Sequence, residues 1–368
     1  MKSNFEFLNR YWPALAQIGA AAESYVYSDA NACLYKLGMF GERLILEIFA
    51  FEHIKEPTID NTHANRIRLL KREGLIPKKI DDILYALRKT RNDAVHAGAD
   101  SVEDAKTLLS MTYNLAVWFM EVYGDWGYIA PAFVMPENVV QPDYESIIKE
   151  QEEKIVALSK QVDAVSTAAS SKTSKERAEK GETASESMDL SEAETRYLID
   201  EQFRKFGWEA DTNNLRYSRG TRPQKGRNLA IAEWPTDSTV GKNGYADYAL
   251  FVGLKLVGIV EAKKAAIDIP SVIDHQCKEY AKGIKAEHKD YVIGQWGAYK
   301  VPFVFATNGR KYLKQIETKS GIWCLDLRSG ANAPKALQGW ISPQGLLEQL
   351  EKDIAAANAT LQNTPFDL

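Results

Sequence analysis

Three charged side chains stand at one end of an apolar hairpin in this sequence. Two runs of β-favouring residues, at 248–252 and 256–260, flank a glycine-containing turn, which predicts two antiparallel strands. Asp247 precedes the first strand, and Glu261 and Lys263 follow the second. Because residues i and i+2 of a strand share a face, Glu261 and Lys263 point the same way, and the hairpin brings Asp247 close to them. Such charges are costly to bury for stability alone, so the pattern indicates a functional site.

The residue types at this hairpin end are those that a magnesium-dependent phosphodiesterase needs. Mg²⁺ takes carboxylate oxygens and accepts phosphate oxygens, so Asp247 and Glu261 are candidate metal ligands, together with a backbone carbonyl near Ala262. A bound metal lowers the pKa of a water and neutralises charge on the scissile phosphate. Lys263 would orient that water and stabilise the transition state. The alternative interpretation is a surface hairpin with solvated charges at its ends.

A predicted helix from Ser271 to about Lys285 carries a second pair of polar residues. Gln276 and Tyr280 are four positions apart and therefore share one helical face. Taken alone, they would be a solvated amide and a half-buried aromatic. A strand that ends in Glu-x-Lys, followed by a helix with Gln-x-x-x-Tyr, is the pattern of one nuclease lineage.

The pattern resembles the PD-(D/E)xK nuclease domain of the restriction (R) subunit of type I restriction-modification enzymes. Segments at 191–208, 214–223, 230–235 and 305–310 resemble parts of the same subunits, so the resemblance runs from about 191 to 328 and more weakly through the N-terminal region. Ala246 replaces the proline that names the motif, a residue that shapes the turn and carries no chemistry. In this family the Gln and Tyr help to position DNA and support cleavage, which implies a DNA-binding role for Gln276 and Tyr280.

The predicted fold class is multi-domain α/β, with an all-α N-terminal domain followed by a restriction-endonuclease-like domain built on a mixed sheet. Helices are predicted at 192–206 and 271–286, and strands around 214–218, 229–234, 246–252, 256–262, 302–306 and 322–326. The predicted boundaries are 1–143 for the helical domain, 144–190 for a connecting helix and linker, 191–330 for the nuclease domain and 331–368 for a C-terminal tail.

Glu194 has two interpretations that can coexist. The resemblance places a helix glutamate near the metal at this position, which makes Glu194 a further candidate ligand. Ser191-x-x-Glu194 is also a capping box, in which the two side chains satisfy the first free amides of a helix.

Basic residues are concentrated in the segment that carries the candidate site. Residues 191–330 hold 22 Lys and Arg against 17 Asp and Glu, although the whole chain has a net charge of −4. Phosphate contacts are predicted for a cluster just ahead of the hairpin. Its members are Arg216, Arg219, Arg222, Lys225 and Arg227. A solvated loop is the alternative for each of them.

The N-terminal region carries apolar residues at helical spacing without intervening strands, which predicts a helical bundle. Its predicted helices span 14–26, 34–51, 65–72, 81–90 and 102–123. The segment from Arg91 to His96 resembles the Arg-x4-His motif of small helical ribonucleases, in which both residues meet the phosphate. The alternative is that Asn92 and His96 hold a helix–helix junction by hydrogen bonds. Ser166 to Glu186, rich in small and charged residues, is predicted to be a flexible linker or an exposed helix.

Several function classes are disfavoured by motifs that the sequence lacks. Three scattered cysteines without a CxxC pair and five histidines without ligand spacing disfavour a disulfide frame or a zinc enzyme. No apolar run is long enough to cross a membrane, so a cytoplasmic protein with no membrane partner is expected. R subunits resemble ATP-driven DNA translocases beyond the nuclease domain, yet the sequence has no Gly-x4-Gly-Lys-Ser/Thr motif. We therefore expect a fragment whose tail leads towards a motor that this chain lacks, with ATP binding confined to that motor.

The leading hypothesis is a type I site-specific deoxyribonuclease that cleaves double-stranded DNA with Mg²⁺. The resemblance implies assembly with modification and specificity subunits. A non-catalytic DNA-docking and subunit-assembly module is the second hypothesis, and a ribonuclease site at Arg91 and His96 is the third.

Overall fold

The computed structural model describes residues 3–55, 60–138, 172–237, 244–263, 269–308 and 321–352. Contacts divide the chain into two compact units, Met1–Leu190 and Ser191–Leu368. The second unit begins at the residue predicted for the start of the nuclease domain. No helix in these ranges is long and apolar enough to cross a membrane.

The first unit is helical in its described part, as its apolar periodicity predicts. Its helices are α1 (Pro13–Tyr25), α2 (Ala30–Phe51), α3 (His63–Arg72), α4 (Lys78–Ala97), α5 (Val102–Phe119) and α6 (Ser174–Ser187). A 3-10 turn (Glu6–Arg10) precedes α1, and a π-turn (Met120–Gly124) extends α5. Side chains of Asp29, Thr62 and Ser101 accept hydrogen bonds from the first turns of α2, α3 and α5, which fixes where these helices begin.

Helix α2 is the centre of this unit, because α1, α4 and α5 all pack against it. Its buried side chains include Leu37, Phe40, Leu44 and Ile48. The ring of Phe5 lies against Phe40, with centroids 5.5 Å apart, so the segment before α1 closes one end of the core.

Helix α6 lies in the segment predicted to be a flexible linker or an exposed helix, and it is helical but partly buried. The rest of the predicted connecting region, at 144–171, lies outside the described residues. The helix packs against the π-turn after α5, with Gly181 and Ala184 buried. Trp118 donates a hydrogen bond from Nε1 to the Gly181 carbonyl at 3.0 Å. Arg177 forms a buried ion pair with Glu52. The small side chains of α6 allow this close approach. Because they are only weakly hydrophobic, the sequence of α6 has no hydrophobic period that would predict its packing.

The second unit is built on a seven-stranded mixed sheet with strands in chain order. The strands are β1 (Glu209–Ala210), β2 (Asn228–Pro235), β3 (Tyr245–Val252), β4 (Lys255–Ala262), β5 (Phe303–Thr307), β6 (Ile322–Asp326) and β7 (Lys335–Ala336). The pairs β1–β2 and β4–β5 are parallel, and the other neighbours are antiparallel. This arrangement confirms the multi-domain α/β fold class.

Helices cover both faces of the sheet. Helix α7 (Glu192–Lys205) and helix α9 (Pro343–Glu351) cover one face through Ile199, Phe203 and Leu346. The helical segment α8, which connects β4 to β5, covers the other face through Ile273, Cys277 and Tyr280. It consists of Ile269–Val272, a π-turn Ile273–Cys277 and Lys278–Lys282.

Two details differ from the sequence prediction. The segment predicted as a strand around 214–218 contains a 3-10 turn (Tyr217–Arg219) that lies against β2. The described part of the predicted tail belongs to the second unit, because β7 extends the sheet and Trp340 packs against Phe203 with ring centroids 4.2 Å apart. Residues beyond 352 lie outside the described ranges.

Candidate active site

The hairpin of β3 and β4 brings Asp247 and Glu261 together, as its spacing predicts. The register pairs Tyr248 with Val260, so Asp247 and Glu261 are the next residues on their strands. The backbone N–H of Ala262 donates to Asp247 Oδ2 at 2.8 Å. The two carboxyl groups therefore lie at the same end of the hairpin.

Asp247 is held through both of its carboxylate oxygens. Arg196 Nη2, from the first half of α7, donates to Oδ1 at 2.6 Å. The Ala262 N–H engages Oδ2. A carboxylate with one charged and one backbone donor is fixed in orientation.

Glu261 is buried and only partly satisfied. Its Oε1 accepts hydrogen bonds from Lys263 Nζ and from Gln276 Nε2, the latter at 2.7 Å. Its Oε2 is buried and has no hydrogen-bond donor among the described residues. Burial, reinforced by the negative charge of Asp247, raises the pKa of Glu261 to about 8, and Lys263 opposes this rise. A buried glutamate with a raised pKa beside a second carboxylate indicates a site with affinity for a further cation.

Lys263 and Gln276 are brought to this site by different elements. Lys263 directly follows β4, and its N–H donates to the Thr307 carbonyl of β5 at 2.7 Å. Gln276 lies in the π-turn of α8. Its amide donates to the Tyr280 hydroxyl oxygen at 2.8 Å as well as to Glu261. Tyr280 is buried, and burial raises the pKa of its hydroxyl.

Glu194 caps α7. Its Oε2 accepts from the Ser191 N–H at 2.7 Å, and the Ser191 Oγ accepts from the Glu194 N–H at 3.3 Å, which completes the predicted capping box. The Glu194 side chain is buried, and its role as a metal ligand stays a prediction.

Arg196 and Glu233 belong to the site and were not predicted from the sequence. Arg196 lies two residues beyond Glu194 and contacts Glu233 Oε1 at 3.5 Å in addition to Asp247. Glu233 lies in β2 with a φ of 51°, a left-handed conformation unusual for a residue with a side chain. Its Oε2 lies 3.2 Å from Arg216 Nη1. In the sequence, Arg196 is visible only as an arginine one turn into a capped helix. Such a residue is part of no periodic pattern or motif that would predict a site.

The basic residues of the predicted phosphate-binding cluster have different neighbours. Arg227 forms an ion pair with Glu209, with Nη2 to Oε2 at 2.5 Å. Arg222 lies over the Tyr217 ring, 3.6 Å from its centroid, and Arg219 donates to the Asn214 side chain at 3.1 Å. Lys225 is exposed. Of the five, Arg216 is joined to the carboxylates of the candidate site through Glu233.

Arg91 in the helical unit contacts acidic and aromatic neighbours. It forms an ion pair with Glu42 and lies over the Tyr35 ring, 5.4 Å from its centroid. Its aliphatic carbons pack directly on Gly38. The side chain of His96 lies outside the described residues, so the pairing proposed for these two residues stays a prediction.

Two family models match the chain. Residues 209–350 match the second domain of the type I restriction enzyme EcoKI endonuclease subunit, and residues 20–162 match a domain of unknown function, DUF4145. The type I restriction enzyme EcoKI endonuclease subunit of Escherichia coli (strain K12) is 32% identical over 439 aligned residues, which cover 99% of this chain and 37% of that protein. The chain thus spans little more than a third of the length of this relative. No solved structure matches it significantly.

Proposed function

The chain belongs to the endonuclease subunits of type I restriction enzymes, and from that premise we propose that its second unit cleaves double-stranded DNA with Mg²⁺. The observation that carries this proposal is the juxtaposition of Asp247 and Glu261 at one end of the hairpin, with Lys263 on Glu261. These are the residue types that a metal-dependent phosphodiesterase uses.

The donor set fits a hard divalent cation. Two carboxylates meet at the site, and the buried Oε2 of Glu261 has no donor in the described part of the chain. Asp247 and Glu261 would hold Mg²⁺, with the Ala262 carbonyl and Glu194 as further candidate ligands. When bound, the cation supplies charge neutralisation at the phosphate and acidifies a water.

The protein groups around the carboxylates have separable tasks. Arg196 and the Ala262 N–H fix the orientation of Asp247. The Lys263 ammonium contacts Glu261 Oε1, and it would stabilise negative charge on a phosphate and orient the attacking water. Gln276 holds Glu261 through the same oxygen.

DNA is proposed to approach along the basic residues beside this hairpin. Arg219 and Lys225 are both exposed, and Arg219 donates to the neutral side chain of Asn214. Their charges are therefore available to phosphates. By relation to its family, the chain is proposed to act in an assembly with modification and specificity subunits. ATP would serve a motor region and not this site.

Plasmid nicking tests the proposal. The chain is incubated with supercoiled plasmid and Mg²⁺, and Asp247→Asn and Lys263→Met are compared with Lys255→Met, which removes a charge at the opposite end of the same hairpin. Both site variants should lose cleavage, while Lys255→Met should retain it. If the chain cuts only within the assembled enzyme, the same three variants are compared there. Normal cutting by Asp247→Asn in the assembly would reject the proposal and favour a DNA-docking module.

A further inference from the structure

Arg196 is a buried cation inside a group of carboxylates. Its Nη2 lies 2.6 Å from Asp247 Oδ1 and 3.2 Å from Glu192 Oε1, and its Nη1 lies 3.5 Å from Glu233 Oε1. The guanidinium side chain is 11% exposed and that of Asp247 is 13% exposed, so water screens this contact weakly. A residue placed in this way affects any other cation that Asp247 binds.

The backbone of Arg196 is fixed on the strand that carries Asp247. The Tyr248 hydroxyl, at the next position of β3, donates to the Arg196 carbonyl oxygen at 3.5 Å. The capping box of Ser191 and Glu194 fixes the start of α7 two residues earlier. Arg196 therefore reaches Asp247 from a rigid helix start, which is how a precisely placed charge is built.

Glu233 is the counter-charge on the far side of the guanidinium. It lies on β2 next to the pairs Ala232–Tyr248 and Trp234–Ala246, so Asp247 is the residue opposite it. Its left-handed backbone, at φ 51°, is costly for a side-chain residue and persists only where the surroundings enforce it. This conformation puts the carboxylate within reach of both Arg196 and Arg216.

We propose that Arg196 is a positioning residue that occupies one oxygen of Asp247 and sets the affinity of the site for a divalent cation, with Glu233 as the counter-charge that limits its effect. The inference rests on the proposed function, because it takes Asp247 as a metal ligand. The positive charge of Arg196, in contact with a ligand carboxylate, repels a doubly charged ion a few ångströms away. In a weakly screened site this repulsion lowers the affinity for the ion more than the orientation of Asp247 by Arg196 raises it. When the Arg196 side chain is removed, the Ala262 N–H still orients Asp247 through Oδ2.

Manganese binding by the full chain tests this inference through a readout other than cleavage. Free Mn²⁺ is measured by electron paramagnetic resonance during titration of the wild type, Arg196→Met, Glu233→Gln and Lys255→Met. Arg196→Met should bind Mn²⁺ at least about tenfold more tightly, because the repelling charge is gone. Glu233→Gln should bind several-fold more weakly, because Arg196 loses a counter-charge. Lys255→Met, at the far end of the hairpin, should match the wild type.

The opposite signs expected for Arg196→Met and Glu233→Gln separate this role from a structural one, since loosening of the fold would weaken binding in both. Should Arg196→Met fail to fold, as judged by circular dichroism, Arg196→Gln takes its place, because it keeps a hydrogen-bond donor without the charge. It should also bind Mn²⁺ more tightly than the wild type, and unchanged or weaker binding overturns the inference. Asp247→Asn tests the proposed metal site separately from the role of Arg196. Equal Mn²⁺ binding by Asp247→Asn and wild type overturns the proposed metal site and this inference together. Asp247-dependent binding that Arg196→Met leaves unchanged or weakens overturns this inference alone.

Discussion

Gln276 donates a hydrogen bond from its side-chain amide to Glu261 Oε1 at 2.7 Å, across the space between α8 and the end of β4. The same nitrogen lies 2.8 Å from the hydroxyl oxygen of the buried Tyr280. The family resemblance implies that these two residues position DNA and support cleavage, and the contacts in the structure lead to a carboxylate of the candidate site. The two roles make different predictions.

Gln276→Ala should slow cleavage by about 10- to 100-fold, which is the usual effect of removing a group that orients a metal-binding residue. DNA affinity, measured by fluorescence anisotropy without Mg²⁺, should change little. Tyr280→Phe keeps the packing of the ring and should have a smaller effect in the same direction. A loss of DNA affinity equal to the loss of cleavage would instead support direct DNA contact by Gln276.

Lys263→Met should reduce cleavage by about 100-fold or more, because the ammonium on Glu261 is a positive charge available to a phosphate at this carboxylate. Since the substitution removes a group that opposes the raised pKa of Glu261, that pKa should rise further above about 8. At limiting Mg²⁺, where the cation must displace the proton of Glu261, the rate measured from pH 7 to 9 should therefore reach its plateau at a higher pH than in the wild type. Full activity at pH 7 would contradict this role.

The sequence predicted the elements that carry the chemistry because each has a local signature. The hairpin of β3 and β4, the start of α7 and the Gln276–Tyr280 spacing all follow from periodicity, turn residues or caps. The meeting of Asp247 with Glu261 followed from hairpin geometry alone. These parts required no knowledge of distant contacts.

What the sequence did not show depends on contacts between distant segments. Arg196 approaches Asp247 only because α7 packs beside β3, and Glu233 becomes its partner through an unusual backbone angle in β2. The docking of α6 relies on Gly181 and on one buried ion pair, neither of which produces a hydrophobic period. Trp340 packs into the core between the sheet and α7, although it lies beyond the predicted domain boundary.

Asp200 provides a pH-dependent test of the second unit. It is buried beside Thr212, whose N–H donates to Oδ2 at 2.7 Å, while Oδ1 has no partner among the described residues. Burial raises the pKa of Asp200 from 3.8 to about 6, against the opposing hydrogen bonds from Thr212 and the charge of Arg204. The folded state then binds more protons than the unfolded state between these values, so this group makes the unit more stable as the pH falls from about 7 to about 4.

Asp200→Asn should remove that dependence and stabilise the second unit at pH 7.5 by about 1–3 kcal/mol, since no buried charge must be formed. Urea unfolding of the wild type and the variant at pH 7.5 and 5 measures the difference. The advantage of the variant should be largest at pH 7.5 and shrink at pH 5. An advantage that is equal at both pH values would show that Asp200 does not titrate in this range.

The ion pair of Arg177 and Glu52 is expected to hold α6 on the helical unit. Arg177 Nε lies 2.6 Å from Glu52 Oε1 and Nη2 lies 2.8 Å from Oε2, with side-chain exposures of 7% and 1%. Glu52→Ala leaves a buried guanidinium without its carboxylate, which should cost about 3–5 kcal/mol. The double variant Glu52→Ala/Arg177→Met should be less destabilised than the sum of the two single variants, because neither charge remains unpaired.

Limited trypsin digestion measures the docking of α6 directly, since Lys175 and Lys180 lie within the helix. Cleavage there should be much faster in Glu52→Ala than in the wild type, because the helix leaves its packed position more often. The matched control is Glu121→Gln, which removes the partner of Lys180 in a more exposed pair with an N–O distance of 3.6 Å. An exposed pair contributes at most about 1 kcal/mol, so this variant should resist trypsin nearly as well as the wild type. Equal protection of Glu52→Ala and Glu121→Gln would mean that the contact of Trp118 with Gly181, and not the buried ion pair, holds the helix in place.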